Sequence, residues 1–135
     1  MSQISAPVSY GELIDKMTIL EIKSERISDA AKLINVRHEL DVLTALWQQA
    51  DVSATDISDL RTALKGVNEK LWDIEDNIRV KESKAEFDEA FIELARSVYF
   101  VNDQRAEQKR LINDRLGSDL VEEKSYVDYR RSETA

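Results

Sequence analysis

A chain of 135 residues with three glycines and one proline has few turn-forming residues, which excludes a β-sandwich or an α/β fold and predicts one all-α domain of few, long helices. A net charge of −8 sets aside a general nucleic-acid binder and a protein drawn to anionic membranes. The lack of cysteine removes disulfides, thiolate zinc sites and cysteine nucleophiles, and suits a reducing cytoplasm.

Residues 1–8 read as a free arm, with Pro7 stopping any earlier helix. The opening MSQISAPVSYGE has neither a basic n-region nor an apolar core, so it does not read as a signal peptide, and no run approaches the roughly 18 apolar residues of a membrane span. A cytoplasmic location is the expectation. Ser9 and Glu12 form a capping box, and Val8 with Leu13 occupies the hydrophobic-staple positions around it, so the first helix starts here. It carries Leu13, Met17, Leu20 and Ile27 on one face, broadened by Ile14, Ile19 and Ile22. Ser28 and Asp29 offer a new cap, after which the register shifts to Leu33, Val36, Leu40, Leu43 and Trp47. No Gly or Pro forces a break, so residues 9–50 are either one bent helix or two. Residues 51–56, DVSATD, read as a loop.

The third helix, residues 56–82, shows a heptad seam of Leu60, Leu64, Val67, Leu71, Ile74 and Ile78. Gly66 lies beside the seam at a cost of about 1 kcal/mol relative to Ala, which marks a candidate close backbone approach. Ser83 and Glu86 match a second capping box, predicting a central helix over residues 84–116 that Gly117 closes, about 50 Å long. Its first half, with Phe87, Phe91, Leu94 and Val98 flanked by Ile92, Ala95 and Tyr99, forms a band broad enough for two neighbouring helices. The short connection makes an antiparallel hairpin of the third and central helices. That register sets Ile74 near Leu94, Leu71 near Val98, Asp73 within reach of Arg96, and Leu64 near Arg105. It also leaves Ile112 to be covered by the tail or a second subunit. The tail, residues 118–135, should fold back in part, with the final RRSETA disordered. The expected architecture is an elongated bundle of four main helices.

Beyond Val101 the inner stripe of the central helix turns polar, with Asn102, Arg105 and Lys109. A solvated stripe neutralised by carboxylates is the favoured reading. The sharper reading is a site for an anionic small molecule, formed by Arg96, Asn102, Arg105 and Lys109 with Asp73 or Asp76 opposite. Glu69, Asp73 and Asp76 share a helix face that could hold magnesium. A helical nucleotide pyrophosphohydrolase, however, pairs Glu-x-x-Glu with a later Glu-x-x-Asp, and Glu86 with Glu89 supplies only the first half. Exposed pairing with Arg79 and Arg96, worth about 0–1 kcal/mol per pair, is the plainer account. Ile14-Asp15, Ile19-Leu20 and Arg26 match helical chorismate mutases only loosely in spacing. His38, between Arg37 and Glu39, reads as a surface residue without partners for a catalytic triad, and Trp47 and Trp72 as packing residues. No metal site and no cofactor are expected, and no Gly-rich phosphate loop is present.

The blocks GELIDKMTILEIKSERI, LWDIEDNIR and FIELARSVYFVNDQRAEQKRLIN resemble a small all-helical bacterial family of unknown function, over roughly residues 10–126. Proteins similar to this tend to be encoded near, or joined to, sugar-transfer and surface-polysaccharide functions. The resemblance implies a bacterial cytoplasmic accessory protein and supplies no catalytic residues. The expectation is a non-enzymatic interaction protein, a homodimer or bound to another protein, with no nucleic acid or membrane as partner. An enzyme or binding protein for an anionic metabolite is the alternative.

Overall fold

The computed structural model describes residues 2–131. Four helices build it: α1 (Tyr10–Arg26), α2 (Ala30–Gln49), α3 (Ser58–Ser83) and α4 (Glu89–Leu116). A single 3-10 turn, Asp51–Ala54, occupies the stretch read as a loop. Among the described residues there is no strand, and no helix is long and apolar enough to cross a membrane.

Local chemistry sets the boundaries. Ser9 Oγ accepts from the Glu12 amide at 3.1 Å and opens α1, the Ser9 half of the expected capping box, while the Glu12 carboxylate accepts from Lys109. Asp29 accepts from the Lys32 amide at 3.0 Å, so the chain breaks after Ile27 into two helices. α2 folds back on α1, with Lys16 3.5 Å from Glu39. Eight of the seventeen residues of α1 are buried, and α1 packs against α2, α3 and α4 alike. Leu13, Ile14 and Met17 meet Leu60 and Leu64 of α3, Ile112 and Leu116 of α4, and Trp47. The bundle is organised around α1.

That centre overturns the role expected of the central helix. Its apolar first half packs mainly along α3, with Tyr99 also meeting Tyr129 of the tail, and stays poorly covered: Phe87 is 59 % and Ile92 47 % exposed, while Phe91, Leu94 and Val98 are half-buried. Its charged second half is the part inside the bundle, with Lys109, Ile112, Asn113 and Leu116 buried. Between Asn68 and Lys109 not one residue is buried, so this part of the α3–α4 hairpin is a two-helix arm. Ile112 is fully buried against α1 and α3, and needs neither the tail nor a second subunit to cover it.

The capping box at Ser83 and Glu86 does not form, and α4 begins at Glu89 rather than Lys84. Ser83 remains in α3, donating its hydroxyl to the Val80 carbonyl at 2.7 Å. Ala85, in the left-handed region at φ 52°, then turns the chain. Its amide donates to the Glu82 carbonyl, and that of Glu86 to the Lys81 carbonyl, each at 3.0 Å. These bonds close α3 by the same geometry that Gly117 gives to α4. Asp88, not Ser83, then caps α4. The longer turn shifts the hairpin register. Asp59 meets Arg115, and Asp73 is paired with Arg26 rather than Arg96. Arg105 pairs with Asp15 of α1. α3 starts at Ser58, with Ile57 at its cap position and no side-chain cap; just before it, Asp56 accepts from the Ser58 amide at 2.9 Å. Gly66 faces open space rather than a close approach; the crowded glycine is Gly11. Of the final RRSETA, Ser132 to Ala135 lie outside the described residues.

Candidate functional site

The polar groups gather where α1, α3 and α4 meet. Asp15 lies on a helix that is apolar around most of its girth, so its carboxylate is carried inside and is 1 % exposed. A buried carboxylate needs partners. Asn68 of α3 donates Nδ2 to Asp15 Oδ1 at 2.9 Å; Arg105 of α4 donates Nε to Oδ1 at 2.9 Å and Nη2 to Oδ2 at 2.5 Å. Thr18 Oγ1 accepts from the same Asn68 amide at 3.0 Å and donates to the Asp15 carbonyl at 2.8 Å. The hydrogen bond to Asp15 raises the Arg105 pKa despite burial, so the guanidinium stays charged.

One turn along α4, Lys109 is 8 % exposed, and its Nζ donates to Glu12 at 2.7 Å and to Glu122 at 2.8 Å. Burial works against the ammonium, but its hydrogen bonds to Glu12 and Glu122 outweigh that and raise its pKa. Glu122 is held down at about 2, from 4.5, by its bond to Lys109 and then by Lys124. α1 and α4 come this close because residue 11 has no side chain: a Cβ there would stand 2.4 Å from the Lys109 carbonyl oxygen. The Gly11 amide instead donates to Asn113 Oδ1 at 2.7 Å, and the Tyr10 amide reaches Ser118 Oγ at 3.4 Å. Two amides at the start of α1 that lack intrahelical acceptors are thus satisfied from the end of α4.

After Gly117 the chain doubles back, and residues 118–131 run along α4 as a strap without regular structure. Glu122 fastens it to Lys109. Tyr129 fastens it a second time: its hydroxyl donates to Asp103, and its ring lies 4.5 Å from Tyr99 and 4.9 Å from Phe100, centroid to centroid. Between the two fastenings Tyr126 and Val127 stand exposed. A cleft of about 650 Å³ lies under the strap. Glu12, Val98, Tyr99, Asn102, Arg105 and Lys109 wall it on the bundle side, and Glu122, Lys124, Tyr126 and Tyr129 on the strap side. That volume is in the range of small-molecule sites, about 300–1,000 Å³.

Of the six candidate residues, Asn102, Arg105 and Lys109 come together here. The other three do not. Arg96 pairs with Glu93 at 3.2 Å on the exposed arm, Asp73 with Arg26 at 2.5 Å, and Asp76 faces solvent on α3. The stripe is not solvated as its favoured reading expected, since Lys109 is buried; its cations line a cavity and are also neutralised by carboxylates. Glu69 and Asp73 both approach Arg26, and among the described residues no three His, Cys, Asp or Glu side chains gather as a metal-binding group. Arg26, at the other end of α1 from the cleft, lies over Trp72 at 5.9 Å, so the loose mutase-like pattern does not converge on one pocket. His38 is exposed and Trp47 belongs to the core.

Sequence reasoning missed Glu12, Asn68, Glu122 and Tyr129 as site residues, and met Asp15 only in a loose motif. The available signal was α1 itself. A helix with apolar residues on most sides sits centrally, and any carboxylate it carries inward must find a cation.

The chain matches, over residues 4–132, the model of a family described as Family of unknown function (DUF6165). It belongs to that family. The match takes in all four helices and the whole strap, so Lys109, Asp15 and the Glu122 fastening all lie within the DUF6165 span. No curated protein and no solved structure matches the chain. The family description assigns no reaction.

Proposed function

We propose that this is a non-enzymatic interaction protein whose α3–α4 arm pairs with the arm of a second copy. The observation that carries the reading is the arm's seam. Leu71, Ile74 and Ile78 of α3 and Phe91, Leu94 and Val98 of α4 are each only half-buried, and Val80, Phe87 and Ile92 beside them are about half exposed. Two helices alone cannot close an apolar core, whereas two such hairpins packed face to face form a four-helix bundle that does. A second copy suits this arm because a hairpin face can pair with itself about a twofold axis, using the same residues on both sides. The setting implied by the sequence resemblance, an accessory role beside sugar-transfer and surface-polysaccharide functions in a bacterial cytoplasm, is part of the same proposal.

Sedimentation from 1 to 100 µM tests it. A dimer is expected, and Ile92→Glu, on the exposed side of α4, should return it to monomer while leaving its helical content unchanged. A wild-type protein that sediments as a monomer at every concentration overturns the pairing.

A further inference from the structure

The cleft under the strap adjoins the arm, sharing Val98 with its seam, and has its own chemistry. Its innermost cation, Lys109, is nearly enclosed, and Glu122 reaches it from the strap, whose other anchor is Tyr129. Beyond Ser118 no backbone–backbone hydrogen bond ties the strap to the bundle among the described residues. Glu122 lies between two ammonium groups, 2.8 Å from Lys109 and 3.1 Å from Lys124. The other carboxylates of the cleft are already engaged: Glu12 by Lys109, and Asp103 by the Tyr129 hydroxyl. Next to this charged end, Val98 and the rings of Tyr99 and Tyr129 form an apolar wall.

We propose that the cleft binds a compact aromatic carboxylate, whose carboxylate replaces that of Glu122 between Lys109 and Lys124 while its ring lies against Tyr99 and Tyr129. The strap is then a lid, and Glu122 an internal stand-in for the ligand's charged group. A monoanion fits better than a phosphate dianion, because Glu12 stays beside Lys109 and Asp103 stays at the wall. Each extra negative charge there meets a like charge. The carboxylate gains a charge-assisted hydrogen bond from a desolvated ammonium, while the ring supplies the apolar contact that a lone anion lacks.

Calorimetric titration of the full chain with benzoate, and with benzamide as its uncharged counterpart, tests the site. Benzoate should bind one to one and benzamide should not. Glu122→Gln removes the internal competitor and should tighten benzoate about tenfold or more, the gain expected when a site blocked at least nine-tenths of the time is opened. Lys124→Ala, at an exposed position, should weaken benzoate several-fold, and Lys109→Met should abolish binding if its melting curve shows a folded protein. Should Lys109→Met fail to fold, Lys124→Ala and Glu122→Gln still decide the matter. Equal binding of benzoate and benzamide overturns the proposal. So does an affinity for benzoate that Glu122→Gln leaves unchanged or lowers, or the absence of benzoate binding in both proteins.

Discussion

Arg105 and Asp15, 90 residues apart, meet through two hydrogen bonds of 2.9 and 2.5 Å and fasten α4 to the central helix of the bundle. Asn68 adds α3 to the same carboxylate. Replacing Asp15 by Ala leaves the Asn68 amide with Thr18 alone and one face of the guanidinium without a partner. Breaking a buried pair in this way costs about 3–5 kcal/mol, and Arg105's partial access to water places the loss near the lower figure. Urea unfolding measures it; a loss below about 0.5 kcal/mol, the scale of an ordinary surface substitution, would show that the pair does not hold the helices together.

Two glycines should respond in opposite directions to alanine. Gly11→Ala puts a methyl group 2.4 Å from a backbone carbonyl oxygen. Overpacking of that kind costs about 1–3 kcal/mol and should also loosen the Lys109 contacts. Gly66→Ala meets nothing within 4 Å in the interior of a helix and should stabilise by up to about 1 kcal/mol. Thermal melts of the two variants check the contrast, and a matching sign for both would contradict the helix crossing described here.

Ala85 at the arm's tip holds φ 52°, a region that costs an L-residue about 1–2 kcal/mol and glycine almost nothing. Ala85→Gly should therefore raise stability by up to about 1 kcal/mol, the gain being reduced by the greater freedom of glycine in the unfolded chain. Amide exchange across residues 80–90 is the direct readout, and faster exchange in the variant would contradict the left-handed turn.

The two halves of α4 should differ in what they contribute. Ile112→Ala opens a cavity in a fully enclosed position and should cost about 3–5 kcal/mol. Phe91→Ala, half-covered on the arm, should cost the monomer no more than about 1.5 kcal/mol, the low end for a side chain of that size. Denaturation at low protein concentration keeps any pairing between copies out of the comparison. Equal losses would return α4 to the central role that its apolar first half had suggested.

Acid should release the strap only under strongly acidic conditions. The folded-state pKa of Glu122 lies at about 2, below its ordinary 4.5, so its contribution is complete above pH 4.5 and is lost as pH falls toward 2. A carboxyl-carbon NMR titration should place the Glu122 midpoint near 2 in the wild type and clearly higher in Lys109→Met, where only Lys124 still holds it below its ordinary 4.5. A wild-type midpoint at 4.5 would mean that the fastening is absent in solution.

Much of the fold could be read from residue spacing because capping chemistry is local. Ser9 and Glu12 start α1, and Gly117 ends α4, where their side chains or lack of them require. The far end of α3 was misread because its left-handed residue is an alanine, so no glycine marked the stop and Ser83 with Glu86 imitated a start. Three cleft residues, Asn102, Arg105 and Lys109, stood out as polar interruptions of a packing helix. Their partners did not, since Glu12, Asp15 and Glu122 lie about a hundred residues away or on a strap, and only the crossing at Gly11 brings them in. The apolar band from Phe87 to Val98 gave the opposite of its usual meaning. Hydrophobic periodicity shows that a face is meant to be covered, and does not say whether the cover comes from the same chain.

The stretch between Asn68 and Lys109 touches the rest of the described chain mainly at its root, which gives it freedom in length. Removing or adding seven residues in each of its two helices would keep the seam in phase and move the tip by about 10 Å, leaving the α1 crossing and the cleft in place. Natural relatives could therefore differ in reach while sharing one base, much as rulers of different length share one handle.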